Sequence, residues 1–218
     1  MTYRNIKFIG DLHCNDTYKS IMAPGSINLG DLCVIKYKDR FTFDKTFQDR
    51  YGIGKRYFID GNHDYFPDLK PDLMKLQEVA EGLIYIPRGY VSKRTLFIGG
   101  GESIDRDIRT PGVDWWPEEN MSPRQFENIM NINEDIEVIV SHECPERVIY
   151  RVKHYINTSC SHFRVGLDNI FEKFHPFLWI FGHHHKTFDM TIDHCRFICV
   201  NIAQSVQFKI PIGHNIIA

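Results

Sequence analysis

No stretch of this chain approaches the roughly 18 consecutive apolar residues that a membrane-spanning helix needs. Met1-Thr2-Tyr3-Arg4-Asn5 leads straight into a strand-like run without an apolar h-region, so no secretory signal is visible and a cytoplasmic location is expected. No internal repeat, low-complexity tract or linker breaks the sequence, and a single domain over residues 1–218 is expected. Neither sign of charge dominates: 26 Lys and Arg stand against 28 Asp and Glu, for a net charge of −2. That balance gives no strong pull toward nucleic acid or an anionic membrane. The six cysteines, Cys14, Cys33, Cys144, Cys160, Cys195 and Cys199, contain no CxxC pair. Scattered in this way, they are expected to be reduced thiols, not a disulfide framework, with Cys14, Cys33 and Cys144 as small buried groups and Cys195 and Cys199 in the core.

What is present is an ordinary globular composition, 43% hydrophobic over 218 residues. A chain of this size can bury about 70% of its unfolded surface, so a substantial core is available. Short apolar runs predict strands at 7–9, 27–31, 56–59, 83–87, 89–91, 95–98, 136–140, 179–181, 197–200 and 206–210. The runs at 83–87, 89–91 and 95–98 are expected to form a meander, with Ser92-Lys93-Arg94 turning between the last two. Helices are expected at five places before residue 153. Asn15 or Asp16 could cap one that runs through Met22. Thr42 could cap another carrying Phe43, Phe47 and Tyr51. Leu69, Leu73, Leu76 and Ala80 mark the face of a third, stopped by Gly82, and Pro145 starts a fourth that continues through Val152. Ser122-Pro123-Arg124-Gln125 is a helix start with a cap, a first-turn proline and a capping-box glutamine. Leu167, Ile170, Phe171 and Phe174 mark another helix, stopped near Pro176. The stretch from Gly99 to Met121 looks irregular, and loops that long are often functional.

Chemistry gathers where the apolar runs end. Trp179-Ile180-Phe181 stops at Gly182, and His183, His184 and His185 follow. Alternation along extended chain lets His183 and His185 share a face. Asp11 and His13, Asp31, Asn62 and His63, and His142 each follow another apolar run. In α/β folds, sites form at the carboxyl ends of strands. If the tips converge, they bring together two carboxylates, an amide oxygen and several imidazoles. That set suits manganese, iron, zinc or nickel, and is too rich in nitrogen for calcium.

The ordered blocks Asp11-x-His13, Gly30-Asp31, Gly61-Asn62-His63-Asp64, His142 and Gly182-His183-x-His185 resemble the calcineurin-like metallophosphoesterase family. The resemblance implies an α/β fold, a four-layer αββα sandwich of two mixed β-sheets flanked by helices. It also implies two divalent metal ions. Asp11, His13 and His185 would hold one, Asn62, His142 and His183 the other, and Asp31 would bridge them. Manganese is the first candidate, with iron, zinc, nickel or magnesium as alternatives. His63 would be the catalytic general acid or phosphate-orienting group, beside a hydroxide shared by the metals. The implied activity is hydrolysis of phosphate esters, with phosphomonoesterase preferred because no extra domain or basic groove offers itself to a polymer. A phosphodiesterase acting on nucleotides or nucleic acid is the alternative, and a non-catalytic scaffold a third reading. The substrate would be a phosphorylated small molecule, a nucleotide or a phosphoprotein.

The pattern departs from the protein phosphatase branch of that family. Asp60, not arginine, lies two residues before Asn62. Arg106 and Arg109, in a segment that continues to Trp115-Trp116-Pro117-Glu118-Glu119, are the expected replacements as substrate-binding residues, because guanidinium matches phosphate oxygens. Trp115 or Trp116 could stack on a nucleobase or simply cover apolar surface. His154, His162, His175, His194 and His214 are taken as structural, and His184 is expected to face away from the metals.

Overall fold

The computed structural model describes residues 3–13, 20–33, 52–152 and 160–213. Strand β1 (Tyr3–Ile9) lies between β12 (Ser205–Pro211) and β2 (Ile27–Asn28), and β3 (Arg56–Phe58), β5 (Leu83–Tyr85) and β4 (Gln77–Ala80) complete a six-stranded sheet in that order. The second six-stranded sheet runs β10 (Phe188–Ile192), β11 (Cys195–Cys199), β9 (Leu178–Phe181), β8 (Val138–Ser141), β7 (Thr95–Ile98), β6 (Tyr90–Ser92). Both are built alike. Four central strands are parallel, and each edge strand is antiparallel to its neighbour. Parallel strands send all their carboxyl ends the same way, which is what gathers the tips.

The central strands are apolar at nearly every position because both of their faces are covered. Val138 and Val140, Leu178 and Ile180, and Phe97 face the other sheet, where they meet Ile6, Phe8, Ile27, Leu29, Tyr57 and Ile59. The alternate residues Ile139, Trp179, Phe181, Leu96 and Ile98 face outward under the helices. Each such side chain stabilises the fold by about 1.5–3 kcal/mol on burial. Helix α1 (Pro123–Met130) has the expected start: the Ser122 side chain accepts from Gln125 N, and Gln125 returns a bond to the Ser122 backbone. With α2 (Glu146–Val152) and α3 (His162–Phe174), it covers the outer face of the second sheet through Ile129, Val148, Ile149, Leu167, Ile170 and Phe171. Leu12, Met22, Leu32 and Leu69 pack with Phe58, Leu83 and Tyr85 on the outer face of the first. The expected sandwich of two mixed sheets with flanking helices is the observed fold. Among the described residues, no helix is long and apolar enough to cross a membrane.

Two expectations are overturned. Residues 69–82 form no α-helix. Short 3₁₀ turns at Phe66–Asp68 and Pro71–Leu73 give way to β4, which pairs with β5 across a turn at Gly82. Pro67 and Pro71 lack the N–H a continuous helix needs, and Leu73, on the supposed buried face, is 59% exposed. The expected meander is also split. β6 and β7 do form a hairpin turning at Lys93 and Arg94, but β5 belongs to the other sheet. β10 is a strand the apolar pattern did not announce. The expected helix at 42–52, the Asn15 or Asp16 cap, Cys14, His154 and His214 lie outside or almost wholly outside the described residues.

Candidate metal centre

Each tip leaves its strand abruptly. His13, Asp31, His183 and His185 all have left-handed backbones, with φ of 46, 53, 65 and 50°. Such a residue turns the chain back on itself, at a cost of about 1–2 kcal/mol when it is not glycine. A glycine is required where two tips touch: a Cβ on Gly61 would lie 2.3 Å from Asp31 Oδ1, and one on Gly182 would lie 2.5 Å from Asp11 Oδ1.

The tips of both sheets meet. From β1 come Asp11 and His13, and from beyond β9 come His183 and His185. The His183 N–H donates to Asp11 Oδ1 at 3.1 Å. His13 Nε2 and His185 Nε2 lie 2.8 Å apart. Asp11 Oδ2 faces them, 3.1 Å from His185 Nε2 and 3.9 Å from His13 Nε2, while buried and without a hydrogen bond. Asp31 Oδ2 is 3.8 Å from His13 Nε2, and its Oδ1 is 3.5 Å from His142 Nε2. Asp31 Oδ1 also accepts from the His63 N–H at 2.8 Å.

The second half is set by His142 at the end of β8. Its Nδ1–H donates to the Leu29 carbonyl at 2.7 Å, which leaves Nε2 with a free lone pair in the neutral ring. That lone pair faces Asn62 Oδ1 and His183 Nδ1, each at 3.1 Å. With its Nε2–H toward Glu143 Oε2 at 3.4 Å, the neutral His183 ring turns the Nδ1 lone pair to the same point, and acceptors aimed at acceptors repel unless a cation lies among them. The orphaned Asp11 oxygen and this cluster of lone pairs make a donor set that fits divalent ions. Among the described residues three groups could hold an ion: Asp31 is common to two, one with Asp11, His13 and His185, the other with His142 and His183, and the third is Glu143, His183 and His184.

The electrostatics follow from the packing. Burial would push the Asp31 carboxyl up, but His142, His63, His13 and His183 outweigh it and hold it below the usual carboxylate range. Burial disfavours charge on His142, and Asp31 and Asp11 reverse this, raising it. Burial takes His183 down to about 4 against the pull of Glu143, so its ring is neutral and able to ligate. Asp64 is pushed up to about 8, by burial and then by Asp31, although its two oxygens accept from Gly61 N and Cys33 N at 2.7 and 2.6 Å. It ties the Asn62 tip to the Asp31 tip.

A cavity of about 340 Å³ opens over these groups, lined by Asp31, Asn62, His63, Arg109 and His183 among others. The Arg109 guanidinium lies over the His63 ring, with Nη1 and Nη2 each 3.1 Å from a ring nitrogen. Asp105 anchors that guanidinium through Nε at 2.7 Å and Nη2 at 2.9 Å. Burial, with Arg109 adding to it, lowers His63 against Asp31. Arg106 does not reach this cavity. It pairs with Glu102 at 3.2 Å and lines a neighbouring one of about 200 Å³.

Residues 4–187 match the calcineurin-like phosphoesterases. The chain belongs to that family. This phosphoesterase is therefore a metal-dependent hydrolase of phosphate esters. Among solved structures, the phosphopantetheinyl hydrolase of Mycobacterium tuberculosis is similar at 14% identity, with a TM-score of 0.48, over 91% of this chain and 90% of that one. No curated protein sequence matches the phosphoesterase.

Several residues around the centre were not foreseen. Glu143 is fully buried and spans two histidines, 2.7 Å from His184 Nε2 and 3.4 Å from His183 Nε2, with Arg164 at 3.3 Å behind it. Burial opposes its charge, but His184, His183 and Arg164 hold its carboxyl well below the usual range. A carboxylate directly after a strand-end histidine was the available signal. His184 turns toward Glu143 and Cys144. Trp116 is buried against Tyr65, ring centroids 5.2 Å apart, and Trp115 is half-buried beside it.

Proposed function

We propose that the phosphoesterase acts through a dinuclear centre, in which Asp11, His13 and His185 hold one divalent ion, Asn62, His142 and His183 hold the second, and Asp31 is shared. The observation that carries this reading is the membership of Asp31 in two ligand groups, beside a buried Asp11 oxygen that faces His185 Nε2 at 3.1 Å. Manganese suits the mixed oxygen and nitrogen donors, as would iron, zinc or nickel. Two such ions would supply Lewis acidity toward a phosphoryl oxygen and make a shared water a nucleophile near neutral pH.

The chain's own groups do the rest. Arg109, held by Asp105, offers a planar guanidinium to phosphate oxygens at the cavity mouth. His63 faces the cavity beside Asp31 and can hold a proton toward the departing alkoxide. The His63 backbone N–H, bonded to Asp31, keeps that ring in register with the shared carboxylate. The cavity is small, which favours a phosphomonoester of a small molecule over a polymer. Metal-stripped protein given Mn²⁺ is the test, with p-nitrophenyl phosphate compared against bis-p-nitrophenyl phosphate. Preference for the first supports a monoesterase. Preference for the second moves the assignment to a diesterase. Two tightly bound ions with turnover of neither compound would leave a metal-binding protein.

A further inference from the structure

We propose that Glu119 is a positioning residue for the metal centre, setting through Ser103 which end of the Asn62 amide faces His142 and His183. The proposal rests on the dinuclear reading above. Glu119 is fully buried at the end of the turn Pro117–Glu119, and Ser103 is almost as deep. Glu119 Oε1 accepts from Ser103 N at 2.8 Å, and Oε2 accepts from Ser103 Oγ at 2.6 Å. Asn62 Nδ2 in turn donates to Ser103 Oγ at 3.0 Å.

The direction of these bonds is forced. A carboxylate has no proton to give, so it can only accept. The Ser103 hydroxyl must spend its proton on Glu119. Only lone pairs of Ser103 Oγ then remain for Asn62, and these can be met only by the amide N–H₂. The amide oxygen is thereby turned toward His142 Nε2, 3.1 Å away. A cation needs that oxygen and is repelled by an N–H₂ group. The Trp116-Pro117-Glu118-Glu119 segment thus gains a part in the centre without touching it. Trp116 packs on Tyr65, the turn closes with Glu119 N donating to Trp116 O at 3.0 Å, and the carboxylate is delivered beneath Ser103.

Glu119→Gln keeps the shape and the bond from Ser103 N but replaces one acceptor by a donor. The Ser103 hydroxyl is then free to donate to Asn62, and the amide can turn its N–H₂ inward. The experiment is Mn²⁺ titration of metal-stripped wild type, Glu119→Gln, Ser103→Ala and the double variant, followed by electron paramagnetic resonance of free Mn²⁺. Melting of each in EDTA is measured alongside. The expected result is two sites in wild type, one of them weakened about 10–100-fold in Glu119→Gln and in Ser103→Ala. The double variant loses no more than either single one, because both act through one amide. If Glu119→Gln does not fold, Ser103→Ala carries the same test. Unchanged affinity at both sites overturns the inference and leaves the dinuclear reading intact. Equal weakening of both sites in step with a lowered melting temperature also overturns it. Wild type that takes up no Mn²⁺ overturns both.

Discussion

Arg88 donates from Nε and Nη2 to one carboxylate oxygen of Asp60, at 3.0 and 2.6 Å, with both side chains fully buried. Tyr85 Oη donates to the other oxygen at 2.6 Å. The same guanidinium reaches the carbonyls of Glu118, Glu119 and Asn120 at 2.8, 3.1 and 2.9 Å. It therefore staples the loop bearing Glu119 to the strand end bearing Asn62.

Removing that cation strands a buried carboxylate. Arg88→Met is expected to cost about 3–5 kcal/mol in urea unfolding. The pair Arg88→Met with Asp60→Asn should cost less than Arg88→Met alone, because no unpaired charge stays inside and Asn can still accept from Tyr85. A double variant no more stable than the single one would show that the charge is not the cause.

Left-handed backbones at the tips make glycine the least disruptive replacement. In metal-stripped protein, His13→Gly should exceed His13→Ala in stability by about 1 kcal/mol, and the same order should hold at His185. At an ordinary helical or extended position the order would be reversed. Chemical denaturation of the four variants checks this.

Glu143 links stability to pH on the acid side. Its folded carboxyl titrates well below the unfolded value of about 4.3. As pH falls through that value, the unfolded chain takes up a proton that the folded one refuses, so stability falls with it. The stability is whole above about pH 4.3 and is lost toward the lower folded value. Metal-stripped Glu143→Gln lacks this contribution, and its melting temperature between pH 5.5 and 3.5 should fall less steeply than wild type. Parallel slopes would rule the linkage out.

Gly61→Ala puts a methyl group 2.3 Å from Asp31 Oδ1 and 2.7 Å from His142 Cε1. The shared carboxylate must move. Phosphoesterase activity is expected to drop about 10–100-fold or more, with weaker Mn²⁺ binding. Gly112→Ala is the control for activity: its φ of 76° strains any side chain, but nothing lies within 4 Å.

The tips were legible in the sequence because chemistry-bearing residues follow directly on short apolar runs, and parallel strands share one exit. Asp11, His13, Asp31, Asn62, His63, His142, His183 and His185 come together for that reason. Residues 69–82 misled because Leu69, Leu73, Leu76 and Ala80 keep helical spacing although two prolines precede or interrupt them. A tight hairpin, with β4 turning at Gly82 to pair with β5, overrode that spacing. Glu119, Glu143 and the Asp60–Arg88 pair stayed hidden for a different reason. A buried charge is explained by its partner, and each of these partners lies on another strand or loop. Arg109 reaches His63 because Asp105 anchors it, whereas Arg106 is taken by Glu102.

The pairing of Tyr3 with Pro211 and of Ile9 with Ser205 sets an order on synthesis. A ribosome releases β1 long before it makes β12. Until then one whole flank of that strand offers open amide and carbonyl groups, a template for pairing with any stray chain. β6 to β9 come out within one stretch and can begin to pair without waiting. The leaf that carries Asp11 is thus completed only after every strand of the other sheet has been made.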